Sequence, residues 1–200
     1  MAIKFQYNKT SLQDLNKQLK VRVRALPTIK NKESALRSEV KKAKTDADSF
    51  DRKLEQQIKE YEYMQRLWGE FDTNLIAIKD VELSMKKIAG VKTPILERIV
   101  LDVKPYSLFN SPGWIQKGIT ILETIATTAI EREFFNRKMM LLDYARKKTT
   151  QKVNLYEKIQ IPGYEEAILK IKRFLEDEEN LSKSSQKIVK TRQQVEEEMA

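Results

Sequence analysis

The stretch spaced most like a phosphate-binding loop is Gly113-Trp114-Ile115-Gln116-Lys117-Gly118-Ile119-Thr120. A working loop of that kind carries Lys and then Ser or Thr directly after its second glycine, where they reach the phosphates and the magnesium ion. Ile119 and Thr120 stand there instead, so nucleotide binding by this segment is not expected. Glu176-Asp177-Glu178-Glu179 offers four carboxylates, but consecutive helical residues point in different directions and do not converge on one ion. That run reads as a solvated face, and so does Glu196-Glu197-Glu198. The chain has no cysteine and no histidine, which removes disulfides, thiolate nucleophiles, histidine metal sites and the commonest general base. No pair of carboxylates and no Ser/Lys arrangement suggests acid–base or nucleophilic work. The expectation is a chain with no active site, no metal and no cofactor.

Charge points to contacts instead. The net charge is +9, and much of it sits early. Lys4, Lys9, Lys17, Lys20, Arg22, Arg24, Lys30, Lys32 and Arg37 face only Asp14 and Glu33 over residues 1–38. Such a surface meets something acidic, either nucleic acid or an acidic protein surface, or it is simply a solvated helix face. Residues 8–49 contain no aromatic side chain, which argues against stacking on bases.

The elements that carry these charges are long. Five glycines and five prolines in 200 residues, with 34% charged residues, leave little material for turns. From Leu12 an apolar seven-residue repeat runs Leu12, Leu15, Leu19, Arg22, Leu26, Ile29, Glu33, Leu36, Val40, Ala43, Ala47, Phe50, Leu54, Gln57, Tyr61, Met64, Trp68, Phe71, Leu75, Ile78. Only Arg22, Glu33 and Gln57 break it. A repeat of that kind keeps one stripe toward a partner helix. Residues 1–78 are therefore expected to form one long helix, capped at Thr10 or Ser11 and bent at Pro27. Val81, Leu83 and Met85 alternate with polar residues, as do Ile95, Ile99, Leu101 and Val103 after the turn signals Gly90 and Pro94. That predicts a β-hairpin over 81–103 inside a middle region of 79–113, with Lys104 to Gly113 a loop containing Pro105, Asn110 and Pro112. Helical spacing resumes near Trp114 and gives a second long helix over 114–200, kinked near Pro162. Trp68 lies in the repeat and is expected in the core, whereas Trp114 at the loop-to-helix junction is a candidate interface anchor.

The fold class that follows is mainly α: a long antiparallel coiled coil of the two terminal helices, with a small hairpin and short loops between them. A parallel homodimer is the competing arrangement. The longest apolar-leaning stretch, Ile119 to Ile130, carries Glu123 and is too short to span a bilayer. No apolar leader follows Met1-Ala2-Ile3-Lys4. A soluble, cytoplasmic protein is the expectation.

Two segments resemble a known family. Lys148-Thr149-Thr150-Gln151-Lys152-Val153-Asn154-Leu155-Tyr156-Glu157, continuing through Ile159-Gln160-Ile161-Pro162, is similar to the T-T-R-R-V-N-A-L-E-x-x-x-I-P stretch of the D subunit of V-type (V/A-type) ATPases. Ile168-Leu169-Lys170-Ile171-Lys172-Arg173-Phe174-Leu175-Glu176 resembles the helix that follows it there. Lys9-Thr10-Ser11-Leu12, Leu15, Lys17, Leu19 and Ile29-Lys30-Asn31-Lys32 with Ala35-Leu36 resemble that family's opening helix. The chain departs at Leu26-Pro27-Thr28-Ile29-Lys30, where the family has Gly-His before Leu-Leu-Lys-x-Lys, and at Glu33-Ser34, where it has Arg-Asp. The family motif residues carried over are Thr149, Thr150, Val153, Asn154, Ile161 and Pro162.

The resemblance implies a non-catalytic rotor shaft of the central stalk. Its paired helices would enter a hexamer of catalytic and non-catalytic nucleotide-binding subunits. Its middle would bind the small F subunit of the central stalk, and its lower end would sit on an adaptor above the membrane ring. The chain itself would bind no nucleic acid and insert into no membrane. Arg22, Arg24, Lys30 and Lys32 become candidate residues facing the stator. A basic coiled-coil scaffold or a nucleic-acid-binding coiled coil is the alternative.

Overall fold

The computed structural model describes residues 3–107, 109 and 111–199, with side chains up to 195. Asn110, expected in the loop, and the side chains of Glu196-Glu197-Glu198 lie outside the described residues. The elements in order are α1 (Lys9–Glu60), a short α2 (Gln65–Trp68), β1 (Ile76–Ile88), β2 (Val91–Val103), α3 (Ile115–Asn154), a π-helical segment (Leu155–Gln160) and α4 (Ile161–Met199). They form two compact units: residues 1–31 with 149–200, and residues 32–148.

Helix α1 starts earlier than Thr10 or Ser11 would place it. Its cap is Asn8, whose Oδ1 accepts the backbone N–H of Ser11 at 2.7 Å. An asparagine there satisfies one of the four donors orphaned at a helix start. All the repeat positions from Leu12 to Gln57 are buried or half-buried, so the periodicity does identify the packed stripe. Pro27 lies inside the helix and ends nothing, although its missing N–H leaves one ladder bond unmade.

In the first unit, α1 runs antiparallel to the chain from Thr149 onward. Leu15 is buried with Tyr164, Ala167, Ile168 and Ile171, and farther along α1 Lys30 meets Glu157. Each fully buried aliphatic side chain contributes about 1.5–3 kcal/mol. The residues before α1 add a layer that periodicity could not reveal, because Ile3 and Phe5 pack onto the same core. The interruption expected at Pro162-Gly163 takes the form of the π-helical segment before it. The Ile161 N–H donates to the Tyr156 carbonyl, five residues back, and α4 then continues through Pro162. A proline removes a donor and crowds the preceding turn, and a widened turn relieves both.

In the second unit, α1 is antiparallel to α3. Leu36 and Ala43 are buried with Leu142, Phe50 stacks on Phe135 with ring centroids 5.1 Å apart, and Asp51 pairs with Arg132. The long helix does not reach Ile78: it ends at Glu60 after 52 residues, about 78 Å at 1.5 Å per residue. Short 3₁₀ turns at Glu62–Met64 and Thr73–Leu75 flank α2. Asp72, Thr73 and Asn74 prefer local side-chain hydrogen bonds to the helical ladder, and Asp72 accepts the Asn74 N–H at 2.9 Å.

The hairpin begins at Ile76 rather than Val81. Its two-residue loop is Ala89-Gly90, with φ of 49° and 85°, as the turns matched to strand twist require. Pro94 is not part of the turn. It lies within β2 opposite Met85, a position open to proline in a two-stranded ribbon because an edge donor is not needed. Register shifts at Lys79 and Glu97 bulge each strand once. The hairpin folds back along the second unit. Ala89 and Val91 pack against the Leu36–Leu142 core, and Ile76 and Val103 pack against Phe71, Ile115 and Ile119. Those contacts supply what an isolated hairpin lacks in water.

Candidate functional site

The residues that resembled a phosphate loop serve packing. Ile115 to Gly118 form the first turn of α3, and a Cβ at Gly118 would lie 3.1 Å from the Trp114 ring and 3.4 Å from Trp68. The two indoles meet edge to face at 6.0 Å, with Phe71 beside both. Trp114, half-buried, therefore packs into this internal cluster.

Glu176-Asp177-Glu178-Glu179 forms a largely exposed run. Glu179 is held below the usual carboxylate range, first by its hydrogen bond from Lys183, at 2.7 Å. Among the described residues, no three acidic side chains are placed to hold a metal ion. Asp72 is lowered first by the hydrogen bond from the Asn74 backbone N–H, and the remaining shifted groups belong to surface ion pairs. Lys147 and Arg146 hydrogen bonds lower Asp143, and Glu166 and Lys170 stabilise each other's charge by a shared hydrogen bond.

The four candidate stator-facing residues divide into two kinds. Arg22 Nε donates to Gln160 Oε1 at 2.8 Å, and its guanidinium lies 4.5 Å over the Tyr164 ring. Lys30 Nζ donates to Glu157 Oε1 at 2.6 Å. Both contacts fall on the π-helical segment or its edge, so these two cations also hold the helix pair together. Arg24 and Lys32 are exposed. Of the motif residues, Thr149, Thr150, Val153 and Ile161 are half-buried, while Asn154 and Pro162 are exposed.

One surface feature has no counterpart in the sequence reading. Ile78, Val81 and Leu83 of β1 and Ala126, Ile130 and Phe134 of α3 line an apolar groove of about 580 Å³. Ile78 is 57% exposed and Leu83 52%. The four-residue spacing of Ala126, Ile130 and Phe134 is the available signal, but it looks the same as a core stripe.

Fold and surface thus define a helix-pair protein with an appended hairpin, whose described residues assemble no catalytic constellation. A family model described as the ATP synthase D subunit matches residues 11–191, and the chain belongs to that family. It is similar to the V-type ATP synthase D subunit of Borreliella burgdorferi, with 30% identity over 193 residues covering 94% of each chain. The Chlamydia trachomatis serovar L2 protein of the same name is 28% identical over 157 residues, 76% of this chain and 77% of the relative. The Chlamydia pneumoniae one is 27% identical over 186 residues, 88% of this chain and 87% of the relative. Membership implies partnership with the other subunits of such a complex. No helix among the described residues is long and apolar enough to cross a membrane.

Proposed function

We propose that this chain is the non-catalytic central rotor shaft of a V-type ATPase. It transmits rotation between the hexamer of catalytic and non-catalytic nucleotide-binding subunits and the ion-translocating membrane ring. The observation that carries the reading is the antiparallel pairing of long helices in a member of this family, with function left to surfaces rather than to a pocket. A helix pair has no threefold symmetry, so inside a threefold ring it makes different contacts with each catalytic interface. Such differences in contact free energy are what bias conformational states.

On this reading the shaft is cytoplasmic and peripheral to the membrane. Its middle region, with the exposed apolar side chains beside the hairpin, receives the small F subunit, and its other partner is the adaptor on the ring. Arg22, Arg24, Lys30 and Lys32 face the acidic surface of the hexamer. The test is reconstitution of the complex with and without this chain, reading ATP-driven ion transport. Transport should require the chain, while hydrolysis by the hexamer should continue uncoupled without it. Equal transport in its absence overturns the proposal.

A further inference from the structure

The chain from Thr149 into α4 carries two packed rows, and both hold an extra residue at the same place. Thr149 and Tyr156 are seven residues apart, and so are Tyr164 and Ile171, but Tyr156 and Tyr164 are eight apart. In the second row Val153 and Ile161 are eight apart, whereas Ile161, Ile168 and Leu175 keep intervals of seven. All of these side chains are buried or half-buried. In α1 the positions Leu12, Leu15, Leu19, Arg22, Leu26 and Ile29 hold the regular three-four spacing. One helix of the pair thus has one residue more than its partner can match. The surplus coincides with the π-helical segment Leu155–Gln160, whose wide turns take up a residue without rotating the rows away from α1.

The partner helix is weakened at the same level. Arg22 reaches Gln160 and Lys30 reaches Glu157, so the stretch of α1 between them lies across from the π-helical segment. Pro27 sits in that stretch and cannot donate to the Val23 carbonyl. Each helix therefore has a gap in its hydrogen-bond ladder at one height. The Lys30–Glu157 pair that spans this height is exposed on both sides, where water and salt compete with it. Beyond it, Leu15 is buried among Tyr164, Ile168 and Ile171.

We propose that Pro27 and residues 155–161 form a slip joint in the helix pair. There the pair bends, and the surplus residue shifts along the chain between Val153 and Tyr164. The buried contacts of Leu15 with Tyr164, Ile168 and Ile171 stay made meanwhile. Sharp bends in helices arise at prolines and π-bulges, and a chain opens first where its ladder bonds are missing. Arg22 and Lys30 act as latches, since their bonds to Gln160 and Glu157 must yield when the segment shifts. The joint is a property of the chain by itself and stands apart from the shaft reading. A rigid register correction is the other use of a surplus residue, and it brings no local mobility.

Hydrogen–deuterium exchange of the full-length chain, followed by mass spectrometry, compares wild type with three variants. The first deletes Lys158 and carries Pro162→Ala, which removes the surplus residue. The second is Pro27→Ala. The third deletes Lys170 and so takes one residue out of the regular repeat. In wild type, amides of residues 24–31 and 154–161 should exchange about tenfold faster than those of 14–20 and 165–171, the effect of roughly one missing ladder bond. Deleting Lys158 with Pro162→Ala should slow both joint segments to the flanking rate and leave the thermal midpoint equal or higher. Pro27→Ala should slow residues 154–161 as well as 24–31, because the two gaps open together. Deleting Lys170 should lower the midpoint by about 5 °C or more, since Ile171 loses its place in the core. Joint segments that exchange no faster than their flanks in wild type would leave a rigid register correction and overturn the proposal. Equal effects of the two deletions on the midpoint, or a Pro27→Ala effect confined to α1, would overturn it too.

Discussion

The Arg22 guanidinium lies 4.5 Å above the ring of Tyr164, and the Tyr164 hydroxyl donates to Gln18 Oε1 at 2.7 Å. A cation at a core position of the repeat is thus used as a cross-brace: its guanidinium stacks on Tyr164 and reaches Gln160.

That geometry gives a first prediction. Arg22→Lys keeps the charge and loses the planar fork that both stacks and hydrogen-bonds. It should cost about 1 kcal/mol of unfolding free energy, the size of one cation–π contact or one net hydrogen bond. A double-mutant cycle with Tyr164→Leu, read by urea unfolding, should show a coupling of about 0.5–1 kcal/mol. Strict additivity would mean the stack contributes nothing.

Two glycines should respond to alanine in opposite ways. In either helix the substitution gains about 0.8–1 kcal/mol of intrinsic propensity. At Gly163 the new Cβ would sit 3.2 Å from Ile3 Cδ1, the far end of a flexible side chain. Gly163→Ala should therefore be neutral or slightly stabilising. At Gly118 it meets Trp114 and Trp68 at 3.1–3.4 Å, rings already locked in one cluster. Overpacking there costs about 1–3 kcal/mol, so Gly118→Ala should destabilise. Thermal melts with tryptophan fluorescence check both, and a more stable Gly118→Ala would refute the packing role.

The acid limb of stability should come from surface carboxylates. Hydrogen bonds from Lys147 and Arg146 lower Asp143, while Lys170 lowers Glu166 and Lys183 lowers Glu179. A depressed folded-state pKa means the native chain binds fewer protons than the unfolded one. Stability from these pairs is full above the unfolded values near about 4 and is lost as pH falls through the folded ones. Denaturation midpoints should fall below pH of about 4. Asp143→Asn should make that limb shallower, and about 1 M salt should weaken it, because exposed pairs are screened. An acid limb unchanged in both cases would remove these pairs as its source.

The packed stripe is legible because burial follows a fixed period: Leu15, Leu36, Ala43 and Ala47 are all buried where the repeat puts them. The end of α1 is hidden by the same signal. Met64 and Phe71 keep the spacing and are buried, but they reach the core from turns, since burial alone does not report backbone conformation. The Asn8 cap escapes the sequence reading because Thr10 and Ser11 offer the same chemistry two or three residues on. Pro94 reads as a turn signal, although a two-stranded ribbon tolerates it in a strand. Neither the Ile3–Phe5 layer nor the meeting of Ile78 with Phe134 across the groove is announced by periodicity alone. The first is too short, and the second joins residues far apart in sequence. The family motif Thr149 to Pro162 marks a region whose local form, a π-helical segment, no residue pattern announces.

The candidate stator-facing cations can now be separated by experiment. Arg22 and Lys30 are tied to Gln160 and Glu157, so neutralising them removes internal contacts along with surface charge. Arg24 and Lys32 are exposed, and exposed substitutions of this kind usually change stability by less than about 0.5 kcal/mol. If the positive face of α1 attracts an acidic surface of the hexamer, Arg24→Gln with Lys32→Gln should leave the unfolding midpoint in place. It should nevertheless lower ATP-driven ion transport in the reconstituted complex, most visibly at low ionic strength, where the attraction is least screened. Adding Arg22→Gln and Lys30→Gln should deepen the loss of coupling and also lower the midpoint. Transport by the quadruple variant equal to wild type, at matched assembly, would show that these four charges do not face the stator.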